Sequence, residues 1–141
     1  MEESLTTDVM TPQKVSSTYS PLALAYIGDS VYDLMIKKHF VFRSNMQPEK
    51  YHKKVTGIVS AKSQSEFIES FLDNLTEEEQ AVYRRARNSS PHTKAKNATL
   101  EQYLKATGLE AVIGYLYMSG QKERIVEIIK AVFAFHGIAD D

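Results

Sequence analysis

The residues with the clearest chemical potential in this sequence are two acids set in apolar surroundings. Asp29 follows Gly28 directly in YSPLALAYIGDSVYDLM (residues 19–35), and Glu110 lies in TGLEAVIGYLYM (107–118) with Gly114 one helical turn later. A carboxylate in a core costs several kcal/mol unless it is paired, protonated or bound to a metal. At about 100° per residue, Leu22, Ala25, Tyr26, Tyr32, Asp33 and Ile36 share the side of the helix that carries Asp29. Most are apolar, which predicts an Asp29 that is at least partly buried. Glu110 shares its side with Tyr103, Ala106, Ile113, Gly114 and Tyr117. A glycine near each acid lets another backbone come close, at roughly 1 kcal/mol of helix propensity. If the two helices cross there, the carboxylates converge. Hard oxygen ligands, with no cysteine and no clustered imidazole, then favour Mg²⁺ or Mn²⁺ over zinc.

Two other roles fit the same residues. Thr107 to Glu110 is itself a T-x-x-E capping box, which would make Glu110 the cap of a helix starting at Thr107. Either acid would also serve as the partner of a Lys or Arg at the margin of a core.

The elements that must position these acids are helical almost throughout. Ser20 before Pro21 is a helix start, and the apolar pattern runs to about Phe42 and stops before Pro48. A second helical region covers about Glu49 to Leu72, with a break expected near Gly57. Thr76 and Glu79 form a capping box for a helix ending near Asn88, followed by the polar loop NSSPHTKAKN. Thr99 opens a long helix to Met118, ended by the Ser-Gly pair at 119–120. The last helix lies in QKERIVEIIKAVFAFHG, with apolar residues at helical spacing and Gly137 as its stop. No segment alternates with period two over a strand's length. The class is all-α, and 141 residues without a linker or repeat predict one domain, 1–141.

Composition bounds the setting. With no cysteine, disulfides and thiolate metal sites are excluded, as suits a reducing compartment. The polar, acidic start MEESLTTDVM has no secretion-signal pattern, and no apolar run approaches the roughly 20 residues of a membrane span, so a cytoplasmic, membrane-free protein is expected. The net charge is only −1, but the charge is segregated. Between Asp33 and Glu66 lie seven basic residues (Lys37, Lys38, Arg43, Lys50, Lys53, Lys54, Lys62) against the single acid Glu49. Five more (Arg84, Arg85, Arg87, Lys94, Lys96) lie between Glu79 and Glu101 with no acid. Such clusters build a positive face for a polyanion, or form ordinary solvated helix faces. His39, His52, His92 and His136 lack ligand spacing, and His52 reads as a surface residue. Tyr26, Tyr32, Tyr103, Tyr115 and Tyr117 fall at helical spacing and read as core or dimer contacts.

AYIGDSVYDL resembles the signature helix of ribonuclease III, and GLEAVIGYLY resembles that family's second acidic helix. The likeness is closer to the Mini-III ribonucleases, running in order through LALAYIGDSVY, VSAKSQ, YRRARN and ATGLEAVIGYLY, about residues 12–137. It implies a ribonuclease III endonuclease-domain-like helical bundle and a Mg²⁺-dependent endoribonuclease for double-stranded RNA, with Mn²⁺ able to substitute. Asp29 and Glu110 match the catalytic metal ligands. Two further acids of full-length ribonuclease III are replaced by Ala25 and Thr107, the former in keeping with the Mini-III pattern. The resemblance also implies a homodimer, products with 5′-phosphate and 3′-hydroxyl ends, and maturation of large-subunit (23S) ribosomal RNA precursor. It leaves open whether a ribosomal protein assists. The short subgroup lacks a double-stranded-RNA-binding domain, and with the sequence ending at Asp141 none is expected here, so the catalytic domain is expected to hold RNA itself. Arg85, Arg87 and Asn88 match the family's R-x-R-N, and Lys94 and Lys96 add charge beyond them. Two rival readings are a helical RNA-binding module without activity and a protein-interaction bundle.

Overall fold

The computed structural model describes residues 8–89 and 99–138. Seven α-helices follow one another: α1 (Pro12–Thr18), α2 (Pro21–Arg43), α3 (Pro48–Val59), α4 (Ala61–Phe71), α5 (Glu77–Ser89), α6 (Leu100–Met118) and α7 (Lys122–Phe135). A single 3₁₀ turn, Leu72–Asn74, follows α4, and the described residues contain no strand. None of these helices is long and apolar enough to cross a membrane.

Local chemistry sets most of the boundaries. Thr11, Ser20, Ser60 and Thr99 each accept a backbone N–H through the side-chain oxygen at a helix start, and Pro12, Pro21 and Pro48 occupy first-turn positions. The Thr76–Glu79 box forms as expected, with reciprocal bonds of 2.9 and 3.1 Å. Gly120 and Gly137 adopt φ of 72° and 70° just past α6 and α7, the left-handed stop that glycine accepts without strain. Two expectations change. The break in the second helical region falls at Ser60, not Gly57, because the Ser60 hydroxyl caps α4 through the Ser63 N–H at 3.2 Å. Gly57 stays inside α3. The short α1 precedes the helix start read at Ser20, capped by Thr11.

α6 is the centre of the fold. A helix that is apolar all round belongs inside, and α2, α4, α5, α1 and α7 all pack on it. From Ala106 to Leu116 every residue is buried except Glu110, which is half-buried. The core gathers Tyr32, Ile36, Phe67, Ile68, Leu109, Ile113, Leu116 and Ile128 around this axis. Glu79 does double duty at the edge: besides its cap, it receives Arg124 Nε at 3.0 Å and Nη2 at 2.9 Å, a bidentate pair linking α5 to α7.

Candidate active site

The approach of α2 to α6 is set by two glycines. A Cβ on Gly28 would stand 1.7 Å from the Glu110 carbonyl oxygen, and one on Gly114 would stand 2.0 Å from the Leu24 carbonyl oxygen. Backbone therefore rests on backbone at both points, and only glycine permits it. Asp29 follows Gly28, and Glu110 is the residue Gly28 touches, so both acids sit at the same contact. Their carboxyl groups are consequently neighbours, close enough for Asp29 to raise the Glu110 pKa.

The two acids are not equivalent. Asp29 is exposed, which corrects the expectation of burial. The physical reason lies in the contact line. α2 buries Ala25, Gly28, Tyr32 and Ile36, so the line runs through the glycine, and the acid one position round falls at its rim. Leu22 and Tyr26, read as sharing the Asp29 side, are exposed as well, Tyr26 by 84%. Glu110 lies deeper. Burial first, then the Asp29 hydrogen bond and charge, push its carboxyl up to about 8 against an opposing pull from the Gln64 N–H. Near neutral pH the Glu110 carboxyl is thus largely protonated. Glu110 caps no helix: α6 starts ten residues earlier, with a Thr99–Gln102 capping box, and Thr107 sits mid-helix.

Two further residues border this pair: Gln64, not singled out from the sequence, and Tyr32, read there as a core or dimer contact. Gln64, on the first turn of α4, is 3% exposed and places Nε2 at 2.9 Å from the Val59 carbonyl and 3.4 Å from Glu110 Oε2. Tyr32 lies one turn beyond Gly28 with its hydroxyl buried and unpartnered. Burial, and secondarily the Glu110 charge, lift its pKa far above the ordinary tyrosine range, so it stays neutral. The signal for Gln64 was a polar residue in VSAKSQ on the core-facing side of its helix, and only the fold shows what it faces. At the two positions where the resemblance to full-length ribonuclease III implies acids, Ala25 is buried and the Thr107 hydroxyl donates to the Tyr103 carbonyl at 3.0 Å, within its own helix. Among the described residues no group of three or more His, Cys, Asp or Glu gathers to hold a metal.

Of the candidate RNA-contacting residues, Arg85, Arg87 and Asn88 are exposed near the end of α5. Tyr83, one turn before Arg87, lays its ring on Gly108, where a methyl would stand 2.6 Å from it. That contact ties the basic end of α5 to the stretch of α6 leading into Glu110. Lys94 and Lys96 lie outside the described residues, as does His92. The first basic window is exposed on α2, α3 and α4, with Lys37 paired to Asp33 at 2.9 Å. His39 is buried and stacks on Phe133 at 3.8 Å between ring centroids, a core role, whereas His52 is exposed. Tyr32 and Tyr115 are core residues, and Tyr103 and Tyr117 are half-buried.

Residues 22–121 match the ribonuclease III domain family. A Mini-ribonuclease 3 of Streptococcus pneumoniae is 43% identical over 110 residues, 77% of this chain and 86% of that protein. The chain belongs to the Mini-ribonuclease 3 family. A Clostridium tetani Mini-ribonuclease 3 is 45% identical, over 80% of this chain and 76% of its own length. The crystal structure of a Fusobacterium nucleatum protein superposes with a TM-score of 0.77 at 34% identity, covering 83% of this chain and 90% of that one. As a Mini-ribonuclease 3, the chain is an endoribonuclease of the ribonuclease III type. That family acts on double-stranded RNA with a divalent metal.

Proposed function

We propose that the whole chain is one cytoplasmic catalytic domain that cuts double-stranded RNA, with precursor 23S ribosomal RNA as its cellular substrate. Asp29 and Glu110 hold Mg²⁺ in this reading, and Mn²⁺ substitutes for it. The observation that carries it is the meeting of the two carboxyls at the Gly28–Gly114 crossing. Their donor set fits the ion. Magnesium usually takes one or two carboxylates and completes its octahedron with water and substrate phosphate. A dication also replaces the proton that Glu110 otherwise holds near neutral pH.

The ion, when bound, supplies an acidified water for in-line attack and stabilises the leaving 3′ oxygen. The protein's own contribution is placement. Asp29, at the rim, opens the site to the duplex backbone, while Glu110 is fixed from behind by α6. Arg85, Arg87 and Asn88, with Lys94 and Lys96 beyond them, take phosphates and 2′-hydroxyls by shape, since A-form RNA hides its bases in a deep groove. The apolar groove between α2 and α7, lined by Ile27, Val31, Leu34, Met35, Ile125 and Val126, receives a second copy of the chain. Leu34, 64% exposed, is its largest contribution to surface otherwise left to water. Two sites on one dimer then make staggered cuts with 5′-phosphate and 3′-hydroxyl ends.

Incubation with a long RNA duplex, in Mg²⁺ and then in EDTA, tests the assignment. Cleavage is expected with Mg²⁺ alone and is lost in Asp29→Asn and Glu110→Gln. Full activity in either variant overturns the site. RNA retention without cutting supports a binding module, and no RNA affinity at low salt supports an interaction bundle.

A further inference from the structure

We infer that Gln64 is a positioning residue that fixes the Glu110 carboxylate for metal binding, an inference that rests on the metal-ligand role proposed for Glu110. Gln64 stands on a corner tied down by hydrogen bonds. The Ser63 hydroxyl donates to the Gly57 carbonyl at 2.7 Å, the Ser60 hydroxyl donates to Ser63 Oγ at 3.0 Å, and the Gln64 backbone N–H donates to the Ser60 carbonyl at 2.9 Å. The side-chain amide then spans from this corner to α6, with Nε2 between the Val59 carbonyl and Glu110 Oε2.

The chemistry of the two acceptors decides the amide's orientation. The Val59 carbonyl can only accept, so it selects the NH₂ end of Gln64, and the second N–H of that same group faces Glu110. One Glu110 oxygen is thereby held toward α4, which fixes the carboxylate plane and leaves the group turned toward Asp29. An amide suits the task because it donates to an anion while carrying no charge of its own to compete with it. Partners of this kind, one step removed from a metal, commonly govern affinity for the ion. Gln64 Oε1 is buried and makes no hydrogen bond among the described residues, so the side chain keeps its Nε2 contacts while leaving its acceptor unsatisfied. A residue selected only to close the α3–α4 corner would not need the second N–H at all.

The test compares Gln64→Met, Ser63→Ala and Glu110→Gln. Mn²⁺ binding is read from the EPR signal of the free ion with RNA-free protein, and cleavage is titrated with Mn²⁺ at fixed pH. In Gln64→Met, of similar volume but without a donor, the Mn²⁺ dissociation constant rises about tenfold. The Mn²⁺ concentration giving half-maximal cleavage shifts by the same factor, and the rate recovers at saturating Mn²⁺. Ser63→Ala loosens the same corner without touching Glu110, and its Mn²⁺ affinity stays that of the parent. Parental Mn²⁺ affinity in Gln64→Met overturns the inference, as does an equal loss in Ser63→Ala, because the corner rather than the amide would then be responsible. Glu110→Gln separates the two levels. If it keeps Mn²⁺ binding and cleavage, the site assignment itself fails. If it loses both while Gln64→Met loses neither, only the role of Gln64 fails.

Discussion

Replacing Gly28 with alanine attacks the site without changing any acid. The new Cβ would lie 1.7 Å from the Glu110 carbonyl oxygen, 2.7 Å from its carbonyl carbon and 2.8 Å from the Gly114 nitrogen. Ordinary contact begins at 3.4 Å, so α2 and α6 must part by about 1.7 Å at this point. Both partners are helix backbone, and neither can rotate away as a side chain would. Overpacking of a core typically costs about 1–3 kcal/mol, and this contact belongs at the upper end. For a domain of this size, about 3 kcal/mol lowers Tm by roughly 10 °C. The carboxyls move with their helices. A displacement near 1.7 Å exceeds the roughly 1 Å misplacement that can cost about 100-fold in rate. The assay pairs thermal unfolding with Mn²⁺-dependent cleavage well below the variant's Tm. Gly57→Ala is the control, since nothing lies within 4 Å of that Cβ, and it should stabilise α3 by roughly 0.5–1 kcal/mol. A Gly28→Ala protein with the parent's Tm and activity would falsify the account of the crossing.

Arg124→Met leaves the buried Glu79 carboxylate without its bidentate partner and should cost about 3 kcal/mol, read by urea unfolding; a loss below about 1 kcal/mol contradicts that role. The Glu110 carboxyl rises from an ordinary 4.5 to about 8 on folding, so between those values the folded chain keeps a proton that the unfolded chain releases. Metal-free protein is therefore most stable below pH 4.5 as far as this group is concerned, loses stability as pH rises, and has lost that whole contribution above about pH 8. Tm measured against pH in EDTA should show this slope, flattened in Glu110→Gln; an identical slope in that variant refutes the assignment. Mn²⁺ binding in the same window should release protons, measurable as a buffer-dependent heat. Arg85→Ala with Arg87→Ala should weaken duplex binding and reduce its salt slope by roughly 1–2 while Tm holds, whereas an unchanged slope removes those residues from the interface.

Much of this architecture was legible because it is written in local chemistry. The Ser20–Pro21 and Thr99 starts, the Thr76–Glu79 box and the Gly137 stop each involve residues within one turn of each other. The convergence of Asp29 and Glu110 was legible too, since an acid and a glycine recur on both helices. What escaped depends on rotation or on distant chain. The exposure of Asp29 turns on a contact line centred one residue away, at Gly28, and a helical wheel does not fix that centre. The break at Ser60 outcompetes Gly57 because a cap gains a hydrogen bond, whereas a helical glycine costs only about 1 kcal/mol. Gln64 and Arg124 act on partners 46 and 45 residues away, beyond the reach of any local pattern.

The two acids that the resemblance to full-length ribonuclease III implies, and that this chain replaces with Ala25 and Thr107, can be dispensed with on a consistent logic. Four carboxylates packed at one crossing repel strongly whenever the metal is absent, and each must then be protonated or solvated. Here Ala25 adds only apolar surface, and Thr107 satisfies its hydroxyl within its own helix. The raised pKa of Glu110 eases the remaining repulsion, since its carboxyl keeps a proton near neutral pH at the Gly28–Gly114 crossing. If Asp29 and Glu110 hold the ion as proposed, the same economy leaves it fewer protein oxygens, and water and RNA phosphate would fill most of its shell. On the proposed metal role of Asp29 and Glu110, metal and duplex complete a single site together. Each should bind better in the other's presence, by the reciprocity that any such coupling obeys.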